Sequence, residues 1–169
     1  MLAPDVGVSL DMGKSGEFYR QPVFQGYEYS GQSMKDNPPD AIFLDYNDHA
    51  TAFSLDMIPT FAIGTAAQFQ PADEGWGPRP MPTVIGHTEL AAHIAHSVIQ
   101  YDFNLTIISK LDVDHGLTVP LSLMFGQPEA WHCPVIPFAV NVRQYPRPRA
   151  AGPPLLQPGQ SHFQGRRVV

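Results

Sequence analysis

Two short polar clusters hold the residue types best suited to chemistry. The first, Asn47-Asp48-His49, ends the apolar run Ile42-Phe43-Leu44-Asp45-Tyr46. The second is Leu111-Asp112-Val113-Asp114-His115-Gly116. A neutral imidazole is a common metal ligand, and a carboxylate or amide on its other ring nitrogen fixes which nitrogen keeps its lone pair. Two such histidines beside aspartates suggest one shared site that they do not complete by themselves. Each also has a plainer reading. His49 could be a structural histidine bonded to Asp48 or to a backbone carbonyl. His115 could be a turn histidine, with Gly116 permitting a close backbone approach.

The remaining candidates are weaker. His93 and His96 lie three apart on a predicted helix and could share a metal. No carboxylate motif supports them, so they read as surface or groove residues. His87, His132 and His162 carry no specific signal. Cys133 precedes Pro134 and a strand, away from any base or helix start that would lower its pKa, and reads as a buried structural thiol. The sequence contains no Gly-rich phosphate loop, nucleophile elbow or zinc spacing.

The elements that must position these clusters follow from periodicity. Residues 41–46 read as a strand buried on both sides, introduced by Pro38-Pro39. His49 therefore falls at a strand's carboxyl end, where open α/β sheets bind ligands. Residues 57–63 read as a second strand, which Pro59 places at an edge or bulge. Residues 87–100 form the clearest helix, with Leu90, Ile94, Ser97 and Val98 on one face and Thr88 as the expected N-cap. Residues 105–109 and 135–142 read as strands, and residues 118–125 as a helix with Pro120 in its first turn. Near the N-terminus, the alternation over residues 6–10 suggests a remnant strand. The aromatic run at 22–29 leads into a short helix ending near Met34. Residues 70–83 form a long loop with four prolines, and Asp73, Glu74 and Trp76 equip it as a lid or contact surface. Strand–helix–strand order predicts an α/β fold with a mostly parallel or mixed sheet flanked by helices. No internal repeat is present.

Composition bounds the function. One domain and one core suit 169 residues. The net charge of −6 argues against non-specific nucleic-acid binding. A single cysteine excludes an intramolecular disulfide and fits a cytoplasmic protein. No apolar run reaches membrane-span length, and the N-terminus lacks a signal peptide's basic region. Residues 1–142 hold 5 basic and 16 acidic side chains (−11), whereas residues 143–169 hold 5 basic and no acidic ones (+5). Residues 146–169, rich in Pro and Arg, read as a tail outside the 1–145 domain.

Five segments together resemble a known family. They are Leu44-Asp45-Tyr46-Asn47-Asp48-His49-Ala50, Ile58-Pro59-Thr60-Phe61-Ala62-Ile63-Gly64, residues 71–80 (PADEGWGPRP), Asp112-Val113-Asp114-His115-Gly116 and Val135-Ile136-Pro137-Phe138. Over about residues 7–146 the chain is similar to the β subunits of protocatechuate 4,5-dioxygenase, which are class III extradiol ring-cleavage dioxygenases. The loop with Trp76 is more similar to the protocatechuate branch than to the gallate branch. The resemblance implies a non-haem Fe(II) site of the two-His-one-carboxylate type, opening a catechol ring beside its diol with O₂. It also implies a small α-type subunit as a partner. By position His49 matches an iron-ligating histidine, and His115 a histidine near the substrate that steadies the catecholate or oxygen. Asn47 and Asp48 would orient His49 and shape the pocket.

The chain also departs from the pattern. The family's other iron histidine lies in a Ser-His-x-Pro motif, and here that segment is Met1-Leu2-Ala3-Pro4. Leucine cannot ligate iron. The family's second half supplies a ligating glutamate and an acid–base histidine, neither of which has a counterpart here. The expectation is a truncated chain that is inactive alone, with an exposed sheet edge inviting self-association. The tail after Tyr145-Pro146 reads as out-of-frame translation. Sequencing the matching DNA tests this hypothesis, which fails if no other frame continues the family's sequence. Two competing readings are a non-catalytic binding module that keeps the fold, and an unrelated metallohydrolase with His49 and His115 as ligands.

Overall fold

The computed structural model describes residues 4–141. The segment around Leu2 and the predicted tail at 146–169 lie outside them. Two strands dominate, β1 (Ile42–Asp48) and β7 (Val135–Asn141), which run parallel in register from Ile42↔Val135 to Asp48↔Asn141. β2 (Phe61–Gly64) pairs antiparallel with β7 and parallel with β5 (Thr106–Ile108), giving a mixed sheet of order β1-β7-β2-β5. A smaller sheet has β3 (Gln68–Pro71) between β4 (Val84–Ile85) and β6 (Asp112–Val113).

Alternation along the strands sends side chains to opposite faces. Ile42, Tyr46, Val135, Ala139 and Ala62 join Leu117 and Leu121 of α4 (His115–Phe125) in one buried cluster. Ile63 and Ile136, with Phe43 and Phe138, pack on Ala91 and Ala95 of α3 (Thr88–Ile99) in another. The sheet thus lies between α3 and α4, as the predicted mixed α/β fold requires. Helices α1 (Pro4–Asp11) and α2 (Gln21–Asp36) cover α4 from outside. Gly7 lets α1 approach, because a Cβ there would sit 2.7 Å from Val119 Cγ2. Among the described residues, no helix is long and apolar enough to cross a membrane.

Several expectations need correction. The residues read as a remnant strand form α1: Val6, Val8 and Leu10 alternate at i, i+2, but Val6 and Leu10 also stand at i, i+4, and α4 offers a helical partner. Helix α2 starts at Gln21, with Pro22 in its first turn, rather than after Tyr29. β2 begins only at Phe61. Pro59 precedes it instead of making it an edge, and β2 lies inside the sheet between β7 and β5. The cap of α3 is His87, whose Nδ1 accepts the Leu90 N–H, rather than Thr88. Helix α4 begins at His115, so Pro120 falls inside the helix rather than in its first turn. An interior proline costs about 3 kcal/mol. Here the helix is held by an Asp114 cap and by full burial of Leu117, Val119 and Leu121.

Candidate metal centre

The end of β1 and the start of α4 meet because Gly116 lacks a side chain. A Cβ on it would lie 2.5 Å from the Asn47 carbonyl oxygen and 3.2 Å from His49 Cε1. This approach brings the rings of His49 and His115 together, with centroids 4.2 Å apart and planes tilted by 31°.

A carboxylate grips each ring in the same way. Asp114 Oδ2 accepts the His49 backbone N–H at 2.7 Å and lies 3.1 Å from His49 Nδ1. Its Oδ1 accepts the Gly116 N–H at 2.9 Å, capping α4. Glu74 Oε1 accepts the His115 N–H at 2.8 Å, while Oε2 bonds His115 Nδ1. Both Nδ1 atoms and both main-chain N–H groups are therefore satisfied. The two Nε2 atoms are not: each is buried without a hydrogen-bond partner.

Asp48 and Asn47 have other partners. Asp48, buried, accepts the N–H groups of Thr51, Ala52 and Phe53. It shapes the turn beyond His49, in which Ala50 takes a left-handed φ of 68°. Such a conformation costs about 1–2 kcal/mol outside glycine and persists only where its surroundings dictate it. Asn47 Nδ2 donates to the Val140 carbonyl, tying β1 to β7. The carboxylate on the His49 ring is Asp114, 65 residues away, and not its neighbour Asp48. Asp112 is exposed.

Sequence reasoning left Glu74 as loop material and passed over Tyr46. Burial, then the charges of Asp114 and Asp48, pushes the Tyr46 phenol well up, so it stays neutral beneath the cluster. His93 and His96 lie on the exposed side of α3, and His96 bonds Gln100. Cys133 is buried, and burial with the Asp40 charge raises its thiol pKa, matching an inert role.

The loop over residues 72–83 is fastened rather than loose. Asp73 Oδ1 accepts the N–H groups of Gly75 and Gly77, which hold its carboxyl below the usual range. Arg79 forms two bonds to Asp11 at 2.8 and 2.9 Å and a third to Thr118 Oγ1 at 3.0 Å, joining loop, α1 and α4. Trp131 Nε1 donates to the Pro82 carbonyl. Loop and α1 enclose a cleft of about 580 Å³, walled by Val8, Met12, Trp76, Pro78 and Arg79 and reaching His115.

The donor set suits part of a metal site. Ligand atoms of His49, Asp114 and His115 lie within 4.8 Å of one another. Asp114 is engaged through both oxygens, so the open positions are the two Nε2 lone pairs. A carboxylate gripping Nδ1 is the support that metal-bound histidines usually have. Among the described residues, no carboxylate of the cluster is left free as a third ligand.

Comparison with known proteins agrees with this architecture. Residues 3–152 match the family model described as the catalytic LigB subunit of aromatic ring-opening dioxygenase. A gallate dioxygenase of Pseudomonas putida is 37% identical over 79 residues, covering 47% of this chain and 23% of the relative. A 2,3-dihydroxyphenylpropionate/2,3-dihydroxicinnamic acid 1,2-dioxygenase of Dechloromonas aromatica is 31% identical over 137 residues, 81% of this chain and 39% of the relative. One from Mycolicibacterium gilvum is 34% identical over 105 residues, 61% of this chain and 31% of the relative. The matches thus span less than two fifths of each relative's length. With the family model matching nearly nine tenths of the sequence, the chain belongs to the LigB family of aromatic ring-opening dioxygenase subunits.

Proposed function

We propose that this chain forms the catechol-binding half of a non-haem Fe(II) extradiol dioxygenase, with His49 as an iron ligand and His115 beside the substrate. The observation carrying this reading is the pair of buried, unpartnered Nε2 atoms on rings whose Nδ1 atoms are gripped by carboxylates. An unsatisfied buried polar atom costs about 1–3 kcal/mol. Two side by side describe a site that awaits a ligand.

Fe(II) bound at such a site supplies the electronic link between a catechol and O₂. The chain's own residues do the rest. Asp114 holds the His49 lone pair in place. The cleft between α1 and the Trp76 loop offers apolar walls to an aromatic ring and lies within the usual size range for small-ligand pockets. His115 meets a substrate hydroxyl at the cleft's inner end. Asn47 and Asp48 shape the site through the backbone. Protocatechuate is the substrate suggested by the Trp76 loop, and the gallate relative makes gallate its natural competitor.

The described residues supply too few ligands to fix iron alone, so we expect no turnover until other ligands join His49. The test is anaerobic Fe(II) binding by the purified chain, then oxygen uptake with protocatechuate and with gallate. Weak iron binding that depends on His49, without uptake, supports the reading. Iron binding indifferent to His49→Ala refutes it. Stoichiometric iron with uptake would refute the inactivity.

A second reading, a fold-retaining subunit that works through a partner, has its own support. No residue of α2 is buried, and Phe18, Tyr19 and Tyr29 are more than three quarters exposed. A small α-type subunit or a second copy would cover this aromatic surface. Light scattering that finds only monomer, and no complex with an α-type subunit, counts against it.

A further inference from the structure

The Glu74–His115 contact does more than fasten the loop. Both oxygens of one carboxylate face one residue: Oε1 takes the main-chain N–H and Oε2 faces Nδ1. An ionised carboxylate can only accept. In the neutral ring, the Nδ1 facing it must therefore carry the proton. The other nitrogen, Nε2, is then a bare lone pair, buried and without a partner. His115 is 7% exposed, and its ring cannot turn over without breaking the Nδ1 contact.

We infer that Glu74 is a positioning residue that selects the His115 tautomer, keeping the proton on Nδ1 so that Nε2 accepts a proton or hydrogen bond from a substrate hydroxyl. This rests on the proposed catechol chemistry for its purpose, but not for its test. It changes the role expected of His115. A ring with its proton on Nδ1 cannot steady bound oxygen by donating from Nε2 in its neutral form. It is instead an acceptor for the acidic hydroxyl hydrogen of a catechol. It also gives the loop a role in the chemistry, because residues flanking Glu74 hold its backbone. Asp73 braces the turn through Gly75 and Gly77, and Arg79 anchors the far side to Asp11 and Thr118.

Glu74→Gln provides a sharp test, because the amide keeps the shape and loses one acceptor. The His115 N–H can only donate, so it takes the amide oxygen. The NH₂ group then faces Nδ1, and the only matching ring has its proton on Nε2. A merely structural role predicts looser packing with no inversion of the tautomer.

The measurement is ring-nitrogen NMR on the full chain labelled with ¹⁵N-histidine, with His115 assigned through backbone-to-ring correlations and its ring neutral. In the wild-type chain, Nδ1 should show the protonated shift and Nε2 the unprotonated one. In E74Q the two shifts should exchange. A wild-type ring protonated on Nε2 overturns the inference without any variant, so a folding failure of E74Q does not shelter it. A folded E74Q chain with the wild-type pattern overturns it equally. If the tautomer is as inferred but no ring cleavage is found when iron and the missing ligands are supplied, the catechol reading falls while the Glu74 role stands.

Discussion

Gly116→Ala sets intrinsic propensity against tertiary fit, and the two predict opposite signs. Gly116 is the second residue of α4. Exchanging glycine for alanine inside a helix gains up to about 1 kcal/mol, and less in the first turn. The surroundings oppose it. The new Cβ would sit 2.5 Å from the Asn47 carbonyl oxygen, where ordinary contact begins at 3.4 Å. Asn47 lies in β1 and is paired along β7, so it cannot retreat. Helix α4 would have to move instead, stretching the Asp114–Gly116 bond of 2.9 Å. Overpacking of this kind costs about 1–3 kcal/mol, and loss of a cap about 1 kcal/mol. After the propensity gain, a net loss of about 2 kcal/mol is expected. With a urea m-value of about 2 kcal/mol per M, the midpoint should fall by about 1 M at unchanged m. Urea unfolding followed by far-UV circular dichroism reads this directly. An unchanged or higher midpoint would mean that the β1–α4 approach does not depend on glycine, and the geometry of the histidine pair would lose its explanation.

Three further outcomes follow from the same contacts. Asp48→Ala strips the acceptor from three main-chain N–H groups and should cost about 3 kcal/mol; a midpoint within error of wild type in the same unfolding assay would contradict that role. Asp114→Asn should weaken Co(II) or Fe(II) binding about 10–100-fold, as loss of a carboxylate behind a ligating histidine does, and calorimetry showing equal affinity would remove Asp114 from the site. Asp73 has a depressed pKa because Gly75 and Gly77 donate to it, so its contribution to loop order is complete above the ordinary aspartate value of 3.8 and is lost as pH falls through the lower folded value. The amide shifts of Gly75 and Gly77 should titrate together with a midpoint below 3.8, and a midpoint at or above it would show that the turn does not depend on the carboxylate.

The main elements are legible in the sequence where local pattern and tertiary demand agree. The strands β1 and β7 and helix α3 carry apolar runs or periods that fit one kind of element each, and the sheet with helices on both faces follows from their order. Readings diverge where a local signal is satisfied by two structures. Val6, Val8 and Leu10 alternate as a strand would, yet Val6 and Leu10 also stand four apart on a helix; the packing of Gly7 on Val119 of α4 goes with the helix, which leaves Val8 exposed. Pro59 signals a break, but not that the chain would re-enter the sheet two residues later between β7 and β5.

The candidate site divides along the same line. The sequence alone determined that His49 ends a buried strand, that His115 shares a segment with aspartates and a glycine, and that both belong together in a recognisable set of motifs. It could not determine which carboxylate serves which ring. His49 is gripped by Asp114, 65 residues on, and His115 by Glu74, 41 residues back. Adjacent Asp48 instead turns inward to three main-chain N–H groups. Hydrogen bonding is a short-range, directional force, and sequence neighbours on a strand point to opposite faces. The partner of a strand-end side chain is therefore set by what the tertiary fold brings within hydrogen-bond reach. Here that was decided by a glycine small enough to let a helix start against the end of a strand.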